Sequence, residues 1–485
     1  MTHDLFHGRT YDDFLFRPQK GRVRSRGGVR LAGLFARGIP LELPLVSANM
    51  DSVTEAPMAR VLALEGGIGV IHRAMSIEDQ AREVERVKRS HGWVVESPLT
   101  LPRDATVREA REATRRHGVT GILIEESRGG GVLEGILSKR DMPWEGNRDA
   151  EPVSKFMTPF AHLHTRPPGV SLEEAERVLF EHRIEKLPLV DDSRKIRGLI
   201  TKSDIMLSRE RPDSTKDAKG RLSVAAAIGA RGDFLERAEA LLHAGADALV
   251  VDIAHGHSEV MEEAVRALKP HVRDVPLVCG NVGTAEGAAF LRDLGASAVK
   301  VGIGPGLGCR TRLETAAGVP QLQAVHEAWR ALQGSLPIIA DGGARHDKDI
   351  FLALACGASS VMLGSLLSGT DEAPGRVIED PAGHEKRKIY RGMTSPQAVF
   401  EALYDDRDPD EGERALATPA EGQEIQVPYR GSVRDVLHRV RGHLRSAVSY
   451  AGEDSLEAVR ASVLADPERF LIPLSAASRR ESYER

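Results

Sequence analysis

The sequence has little that would tie it to a membrane, to nucleic acid or to a disulfide-stabilised fold. Its 485 residues include only 3 cysteines, widely separated, which excludes a disulfide framework. The formal net charge of −5 argues against the basic surface that nucleic-acid binding needs. No apolar run approaches the roughly 18 residues of a membrane-spanning helix, and the first residues, MTHDLFHGRTYDDF, lack a signal pattern. We therefore expect a cytoplasmic protein that binds neither nucleic acid nor membrane.

Two separated stretches of the chain alternate short apolar runs with helical sequence. The first covers residues 40–93, and the second begins at Leu222 and continues past Gly369, with runs such as ALVVDIAH, VPLVCGN and LPIIADGG. Apolar strands that alternate with helices are typical of a parallel sheet covered on both faces. The number of units, and the functional-looking residues after the strands, favour a closed barrel over an open sheet. The predicted fold class is α/β, a (β/α)8 TIM barrel.

Between the two stretches lies an insert, residues 93–206, that contains a weak internal repeat. Each half reads as helix, strand, strand and short helix. Each half closes on Gly-x-apolar-Ser/Thr-x-x-Asp, at Ser138 and Asp141 and again at Thr201 and Asp204. Two units that are too small to bury a face alone are expected to pack as a pair. Residues 1–92 and 207–475 are then expected to form the barrel.

Two further segments look unlike barrel sequence. Residues from about 400 to 426 are acidic, contain proline and glycine, and have few aliphatic side chains. Long segments of this kind in compact enzymes are often active-site lids, so we expect a long mobile flap there. The last residues, 476–485, are polar, and we expect a disordered tail.

The strongest local signal is the segment KVGIGPGLGCRTR, in which an apolar strand leads into a glycine-rich loop and then Cys309. Glycines let the backbone approach a ligand and present amides or carbonyls to it. A thiol on such a loop could attack a substrate carbon, and Arg310 and Arg312 would favour its thiolate form. A buried cysteine in a turn would explain the same residues, so both interpretations stay open. Cys279 and Cys356 lie in apolar runs and are expected in the core.

Glycine turns after two late strands indicate a phosphate site. Asp341 and Gly343 follow one strand, and Gly364 and Ser365 follow the next. Backbone amides at such turns bind anions in barrel enzymes. Asp341 could bind the hydroxyls of a ribose or could cap the following helix.

The segment DIAHGHS, residues 252–258, also follows an apolar strand. Asp252 could bind a cofactor ribose. His255 and His257 could be metal ligands, but we discount a metal because no third ligand lies at a recognisable spacing. The sequence has no G-x-G-x-x-G fingerprint at a strand–helix junction, so a nicotinamide cofactor would bind outside a Rossmann domain.

Taken together and in order, these segments resemble the IMP dehydrogenase/GMP reductase family. The resemblance covers nearly the whole chain and includes the insert, which is similar to a tandem CBS (Bateman) domain. The matching segments are HGRTYDDFL, SANMDSVTEA, GGIGVIHRAMS, AHGHS, CGNVGTAEGA, KVGIGPGLGCRTR, ADGGAR, MLGSLLSGT, YRGMTS and VPYRG.

The resemblance implies roles for individual residues. Cys309 would bond to C2 of a purine nucleotide, with Thr311 near the leaving group and Arg407 on the flap. The base, ribose and phosphate would be held by Asn49, Met50, Asp341, Gly343, Gly364, Ser365, Tyr390, Gly392 and Met393. The nicotinamide side would be lined by Asp252, Asn281, Gly302 and Gly304. Carbonyls of Gly304, Gly306 and Cys309 would match the family's site for a monovalent cation such as K⁺.

The family's two reactions share one covalent intermediate, and the flap distinguishes them. Arg407 matches the arginine that activates water in the dehydrogenase, but Asp408 replaces its tyrosine partner, and an adjacent carboxylate disfavours use of the guanidinium as a base. Pro396 stands where reductases carry a glutamate, and Leu307 replaces a phosphate-binding serine. The chain most resembles the actinobacterial, CBS-containing branch, which implies an NADPH-dependent GMP reductase. An IMP dehydrogenase that uses NAD, and an inactive nucleotide sensor, are the alternatives.

The CBS-like insert implies regulation. Ser138, Asp141, Thr201 and Asp204 match positions that bind the ribose of adenine and guanine nucleotides in such modules. Nucleotide binding would then shift an assembly equilibrium of a homotetramer or octamer. A purely structural insert is the alternative.

Overall fold

The computed structural model describes residues 4–90, 94–96, 98–144, 146, 148–379, 385–393, 395 and 421–483. The strands are β1 (Phe14–Phe16), β2 (Gly33–Ala36), β3 (Ile39–Leu41), β4 (Leu45–Ser47), β5 (Ile68–Ile71), β6 (Thr100–Pro102), β7 (Gly121–Glu125), β8 (Leu133–Ser138), β9 (Thr158–Pro159), β10 (Lys186–Val190), β11 (Ile196–Thr201), β12 (Val224–Ile228), β13 (Ala248–Asp252), β14 (Leu277–Val282), β15 (Ala298–Val301), β16 (Ile338–Asp341), β17 (Ser360–Leu363), β18 (Ile378–Glu379), β19 (Lys386–Arg391), β20 (Glu424–Pro428) and β21 (Leu471–Pro473).

The α-helices are α1 (Ala56–Leu64), α2 (Ile77–Ser90), α3 (Val107–His117), α4 (Leu172–Glu181), α5 (Lys202–Glu210), α6 (Phe234–Ala244), α7 (Glu259–Val272), α8 (Ala285–Asp293), α9 (Thr311–Thr315), α10 (Gln321–Leu332), α11 (Asp347–Ala355), α12 (Ser365–Ser368), α13 (Val433–Tyr450), α14 (Leu456–Ala465), α15 (Pro467–Phe470) and α16 (Ala476–Tyr483). Short 3-10 helices cover Tyr11–Asp13, Arg26–Gly28, Val153–Lys155 and Phe160–His162. No helix in this part of the chain is long and apolar enough to cross a bilayer.

Eight parallel strands close into a barrel in the order β12-β13-β14-β15-β16-β17-β4-β5. β17 pairs with β4, with Leu363 opposite Ser47. β5 pairs with β12, although the insert separates these two strands in the sequence. Nearly every residue of these strands is buried because the barrel interior covers one face and the helices cover the other. The predicted TIM barrel is confirmed. Helix packing on β5 depends on Gly69, where a Cβ atom would overlap Ala59 of α1.

The chain divides into two compact units, and the boundary of the insert differs from the prediction. One unit comprises Met1–Ser90, Asp213–Lys216 and Leu222–Arg485, and the other comprises His91–Pro212 and Asp217–Arg221. The second unit continues past 206 because α5 runs to Glu210, and its Ile205 packs in one apolar cluster with Val178 and Leu179 of α4.

The second unit has the two-fold repeat that the sequence indicates, with one difference. α3, β7 and β8 form the first half, and α4, β10, β11 and α5 form the second. Apolar side chains from both halves, at Leu123, Leu133, Val190 and Leu199, meet in one cluster. The first half closes on a turn at residues 139–142 instead of the predicted short helix.

The C-terminal segments also differ from the sequence-based expectation. Residues 476–483 form α16 instead of the disordered tail expected for 476–485. The Tyr483 hydroxyl donates to the Phe14 carbonyl at 2.6 Å, and the Tyr483 ring lies under the Lys348 ammonium, which holds the helix in place. Of the predicted flap, residues 421–426 are described, and β20, which begins there at Glu424, pairs with β19. Residues 400–420 lie outside the described part of the chain.

Candidate active site

The predicted site residues on the barrel follow the carboxyl ends of its strands, and parallel strands bring those ends together at one mouth. Asn49 and Met50 follow β4, Asp252 ends β13, and Asn281 lies in β14. The cysteine loop, residues 302–309, follows β15. Asp341 ends β16, and Gly364 and Ser365 follow β17.

The cysteine loop folds tightly, so only glycine fits at several positions. Gly304 has φ +74°, and a Cβ there would lie 2.6 Å from Cγ of Arg312. The Cys309 amide donates to the Gly306 carbonyl at 3.0 Å. The thiol is partly exposed, whereas Cys279 and Cys356 are buried in the core as predicted. Burial raises the pKa of Cys279 to about 12. Cys309 is therefore the reactive candidate among the three cysteines.

The Cys309 thiol heads a hydrogen-bonded chain. Its Sγ atom lies 3.2 Å from Oγ1 of Thr311, and the Thr311 hydroxyl donates to Oε2 of Glu421 at 2.7 Å. Because the single hydroxyl proton of Thr311 points to Glu421, the thiol is the donor to Thr311. The chain is a path along which a proton can pass between sulfur and carboxylate.

Glu421 is a functional residue that the sequence analysis missed. Its backbone carbonyl accepts from the Arg310 amide at 2.7 Å, and the Gln423 amide donates to the Gly308 carbonyl at 3.0 Å. The segment of residues 421–423 is thus hydrogen-bonded along the cysteine loop. The signal that could have found it is a carboxylate in the short stretch before β20, at the end of the predicted flap.

The side chains of the two arginines beside Cys309 form their hydrogen bonds and ion pairs with groups other than the thiol. Arg310 pairs with Glu314 at 2.7 Å, and Arg312 donates to the carbonyls of Ile303 and Val319. The charge of Arg312 nevertheless interacts with Cys309, which raises the pKa of the guanidinium against the effect of burial, so the expectation that these arginines favour the thiolate stays a prediction. The hydrogen-bond partner of the thiol is Thr311.

A buried lysine joins two of the predicted binding carboxylates. Nζ of Lys300 lies 2.8 Å from Oδ1 of Asp252 and 2.6 Å from Oδ2 of Asp341. Burial alone would raise the pKa of Asp252, but the Lys300 charge holds it below the ordinary value. Burial alone would lower the pKa of Lys300, but the two carboxylates raise it. Both carboxylates therefore face a permanent positive charge.

Two asparagines complete this network. Asn49 Nδ2 donates to Oδ2 of Asp252 at 2.6 Å. Asn281 Nδ2 donates to Oδ2 of Asp341 at 2.9 Å and to the Gly302 carbonyl at 2.7 Å. Oδ1 of Asn281 is buried and has no hydrogen-bond partner in the described part of the chain. This oxygen can accept a hydrogen bond from a ligand.

The predicted phosphate and base residues surround Tyr390 on β19. The Tyr390 hydroxyl donates to Sδ of Met50 at 3.6 Å and lies 2.7 Å from where a Cβ on Gly364 would stand. Gly392 packs backbone-to-backbone against Gly308, and Met393 follows it. Burial raises the pKa of Tyr390, so the hydroxyl stays protonated and can donate. Gly343, with φ +83°, packs against Pro305 of the cysteine loop.

Several other predicted positions are not part of this cluster. Arg407, with Asp408 and Pro396, lies outside the described residues. In the second unit, Ser138 Oγ donates to Asp141 and Thr201 Oγ1 donates to Asp204, each at 2.6 Å. His255 and His257 are exposed, and the described residues hold no group of three or more His, Cys, Asp or Glu side chains placed to bind a metal ion.

Comparison with known proteins decides the family. The model of the IMP dehydrogenase/GMP reductase domain matches residues 8–484. The inosine-5'-monophosphate dehydrogenase of Nitrosopumilus maritimus is 44% identical over 455 residues, 93% of each chain. The chain belongs to the IMP dehydrogenase/GMP reductase family.

Other members of this family give the same result. The inosine-5'-monophosphate dehydrogenase of Aquifex aeolicus is 44% identical over 453 residues, which is 93% of this chain and 91% of its own. A cysteine-to-alanine variant of Trypanosoma brucei GMP reductase, solved with guanosine 5'-monophosphate, superimposes with a TM-score of 0.85 at 37% identity, covering 98% and 97% of the two chains. The same enzyme with guanosine 5'-triphosphate gives 0.75 at 34% identity, covering 97% and 98%.

Membership of the IMP dehydrogenase/GMP reductase family establishes the general chemistry. The protein is a purine-nucleotide oxidoreductase that works with an NAD(P)(H) cofactor. Its relatives carry both activities, with dehydrogenases among the curated sequences and reductases among the solved structures. The specific reaction must be argued from the residues of this chain.

Proposed function

We propose that the protein is a GMP reductase that converts GMP to IMP and ammonia with NADPH, through a covalent bond between Cys309 and C2 of the purine. The observation that carries the proposal is the chain from Cys309 through Thr311 to Glu421. It supplies the acid that the sequence lacks at Pro396. The GMP complex of the structurally similar reductase supports GMP as the substrate.

The first step is attack of the thiol on C2. The proton of Cys309 passes to Glu421 through the Thr311 hydroxyl while the sulfur bonds to C2 and N3 takes a proton from solvent. The same relay then returns the proton from Glu421 to the exocyclic amine, so that ammonia leaves with the C–N electrons. When bound, NADPH supplies the hydride that takes the place of the amine at C2. Departure of the Cys309 sulfur re-forms the C2–N3 double bond of hypoxanthine, and the proton lost from N3 restores the thiol.

The remaining residues hold the ligands. Asp341 accepts from the ribose hydroxyls, and the amides of Gly343, Gly364 and Ser365 with the Tyr390 hydroxyl bind the 5′-phosphate. Asn49, Met50, Gly392 and Met393 line the base.

The site also fits the cofactor and a cation. The unpartnered Oδ1 of Asn281 suits the amide protons of a nicotinamide, and Asp252 with the backbone of Gly302 and Gly304 would line the same side. The loop offers carbonyls of Gly304, Gly306 and Cys309 and contains no carboxylate. Carbonyl oxygens without carboxylates suit a monovalent ion such as K⁺.

IMP dehydrogenase is the second candidate, because the curated relatives at 44% identity carry that name. In that reaction the Thr311–Glu421 pair would deprotonate the water that hydrolyses the adduct. Arg407 would assist from the flap, but without the adjacent tyrosine. An inactive, nucleotide-sensing relative is the third candidate, and the intact chain of Cys309, Thr311 and Glu421 argues against it.

We further propose that the second unit is a tandem CBS domain that binds adenine and guanine nucleotides near Ser138, Asp141, Thr201 and Asp204. The repeat of the two halves supports this, as does the GTP complex of the reductase relative. Binding would then shift the equilibrium between homotetramer and octamer, measurable by sedimentation with and without GTP or ATP.

A pair of assays tests the activity. GMP with NADPH should consume NADPH and release ammonia, whereas IMP with NAD⁺ should produce little NADH. The opposite pattern would select the dehydrogenase. Incubation with a 2-halo purine nucleotide should add its mass to the peptide that contains Cys309, and the absence of both turnover and adduct would leave only the sensor.

A further inference from the structure

Lys300 is a buried charge for which the proposed reaction has no chemical use. It lies in the middle of β15, an otherwise apolar strand, and is 2% exposed. A lysine in such a place costs free energy unless its charge is paired. Here the ammonium contacts Asp252 of β13 and Asp341 of β16, which are the carboxylates of the cofactor side and the nucleotide side.

We propose that Lys300 is a positioning residue that couples the nucleotide and cofactor sides of the site by holding Asp252 and Asp341 in one rigid network. The inference rests on the proposed ligand roles of these two carboxylates. Lys300 has no contact with substrate in this proposal and acts through them.

The hydrogen bonds of the network favour a positioning role. Both oxygens of Asp252 are engaged, Oδ1 by Lys300 and Oδ2 by Asn49. On Asp341, Lys300 and Asn281 both bind Oδ2. This arrangement leaves Oδ1 of Asp341 available for a ribose hydroxyl, in an orientation that the ammonium defines.

The charges around Asp252 also favour a positioning role for Lys300. Asp252 is faced by Lys300, by Asn49 and by Arg73, with Asp341 on the far side of the ammonium. Without Lys300, burial would dominate and the pKa of Asp252 would rise. Binding of the cofactor, which Asp252 lines in the proposed site, would then weaken on acidification at a higher pH than in the unaltered protein.

The test replaces Lys300 with methionine, with glutamine and with arginine in the full-length chain. Lys88→Met is the matched control, since Lys88 is also buried and paired with a carboxylate, Asp247, before the amino end of β13. Calorimetry measures the Kd of GMP and of IMP between pH 5 and 8. Steady-state assays over the same pH range separate KM from kcat for GMP and NADPH, and circular dichroism follows the fold.

We expect Lys300→Met to weaken nucleotide binding by about tenfold or more, the loss typical of a charge-assisted hydrogen bond. The KM for NADPH should rise as well, and the acidic limb of its pH dependence should move to higher pH. Lys300→Arg should recover the affinity for nucleotide. Lys88→Met should lose stability and keep the wild-type Kd.

Wild-type Kd values and pH dependence in folded Lys300→Met or Lys300→Gln would overturn the proposal. If Lys300→Met and Lys300→Gln both unfold while Lys300→Arg binds nucleotide as the wild type does, the role of the lysine is structural, and the proposal is overturned as well. Binding of GMP or IMP by the wild type without turnover in either assay would overturn the proposed reaction but leave the coupling inference standing. Absence of any nucleotide binding would overturn both.

Discussion

Replacing Glu421 with glutamine removes the proton acceptor at the end of the chain that starts at Cys309. The amide oxygen of glutamine can still accept from the Thr311 hydroxyl, which now donates at 2.7 Å, so Thr311 should stay in place. General acid–base catalysis by one positioned group contributes about 10²–10⁴-fold in rate, or roughly 3–5 kcal/mol of the barrier. We expect Glu421→Gln to lower kcat by that factor with little change in the KM for GMP.

The assay follows the absorbance of NADPH with saturating GMP. Glu424→Gln is the matched control, because Glu424 is exposed on β20, three residues along the same segment. A second readout isolates the thiol: if Glu421 draws the proton from Cys309, alkylation of Cys309 by iodoacetamide at neutral pH should be slower in Glu421→Gln than in Glu424→Gln.

Two results would refute this reasoning. A Glu421→Gln protein with the kcat of the wild type would show that the hydrogen-bonded chain carries no proton in turnover. Equal loss of kcat in Glu421→Gln and Glu424→Gln would show that the segment acts through its fold.

Three further predictions follow from the packing and burial of individual residues. Gly69→Ala should lower the free energy of unfolding by about 1–3 kcal/mol in urea titrations, because the added Cβ would overlap Ala59. A urea midpoint equal to that of the wild type would contradict this overlap. Iodoacetamide on the native protein should label Cys309 alone of the three cysteines by peptide mass analysis, since the other two are buried, and labelling of either would contradict that burial. Burial, opposed in part by Asp4, lowers the pKa of His326 to about 4. As the pH falls, the imidazole of His326 is therefore protonated in the unfolded chain before it is protonated in the folded one, and the free energy of unfolding should fall by up to about 3 kcal/mol between pH 6.5 and 4. His326→Phe should remove that part of the pH dependence. A variant with the same pH profile as the wild type would contradict the argument.

The barrel could be predicted from the chain alone because its strands are short apolar runs separated by amphipathic helices. The sequences of β13, β14 and β16 read in this way, and each was expected where the structure has it. The cysteine loop was equally visible, since alternate glycines before Cys309 serve no purpose in a regular strand. Local pattern carries this information because strand burial and loop geometry are properties of neighbouring residues.

The sequence does not predict which side chains the residues of the site contact. Glu421 reaches Thr311 across 110 residues of sequence, and nothing near either one indicates the other. A lysine inside an apolar strand, such as Lys300, indicates a buried ion pair, but the sequence does not indicate that its partners are Asp252 and Asp341. The C-terminal helix α16 is mostly polar, and its contacts with Phe14 and Lys348 order it.

The sequence by itself therefore determined the family and the barrel, and it pointed to Cys309 as the candidate nucleophile. Only the tertiary structure decided which carboxylate is linked to that thiol through Thr311 and which charge lies between Asp252 and Asp341. The physical reason is that hydrogen bonds and ion pairs depend on distances of about 3 Å, and closure of the barrel alone sets such distances between strands far apart in the chain.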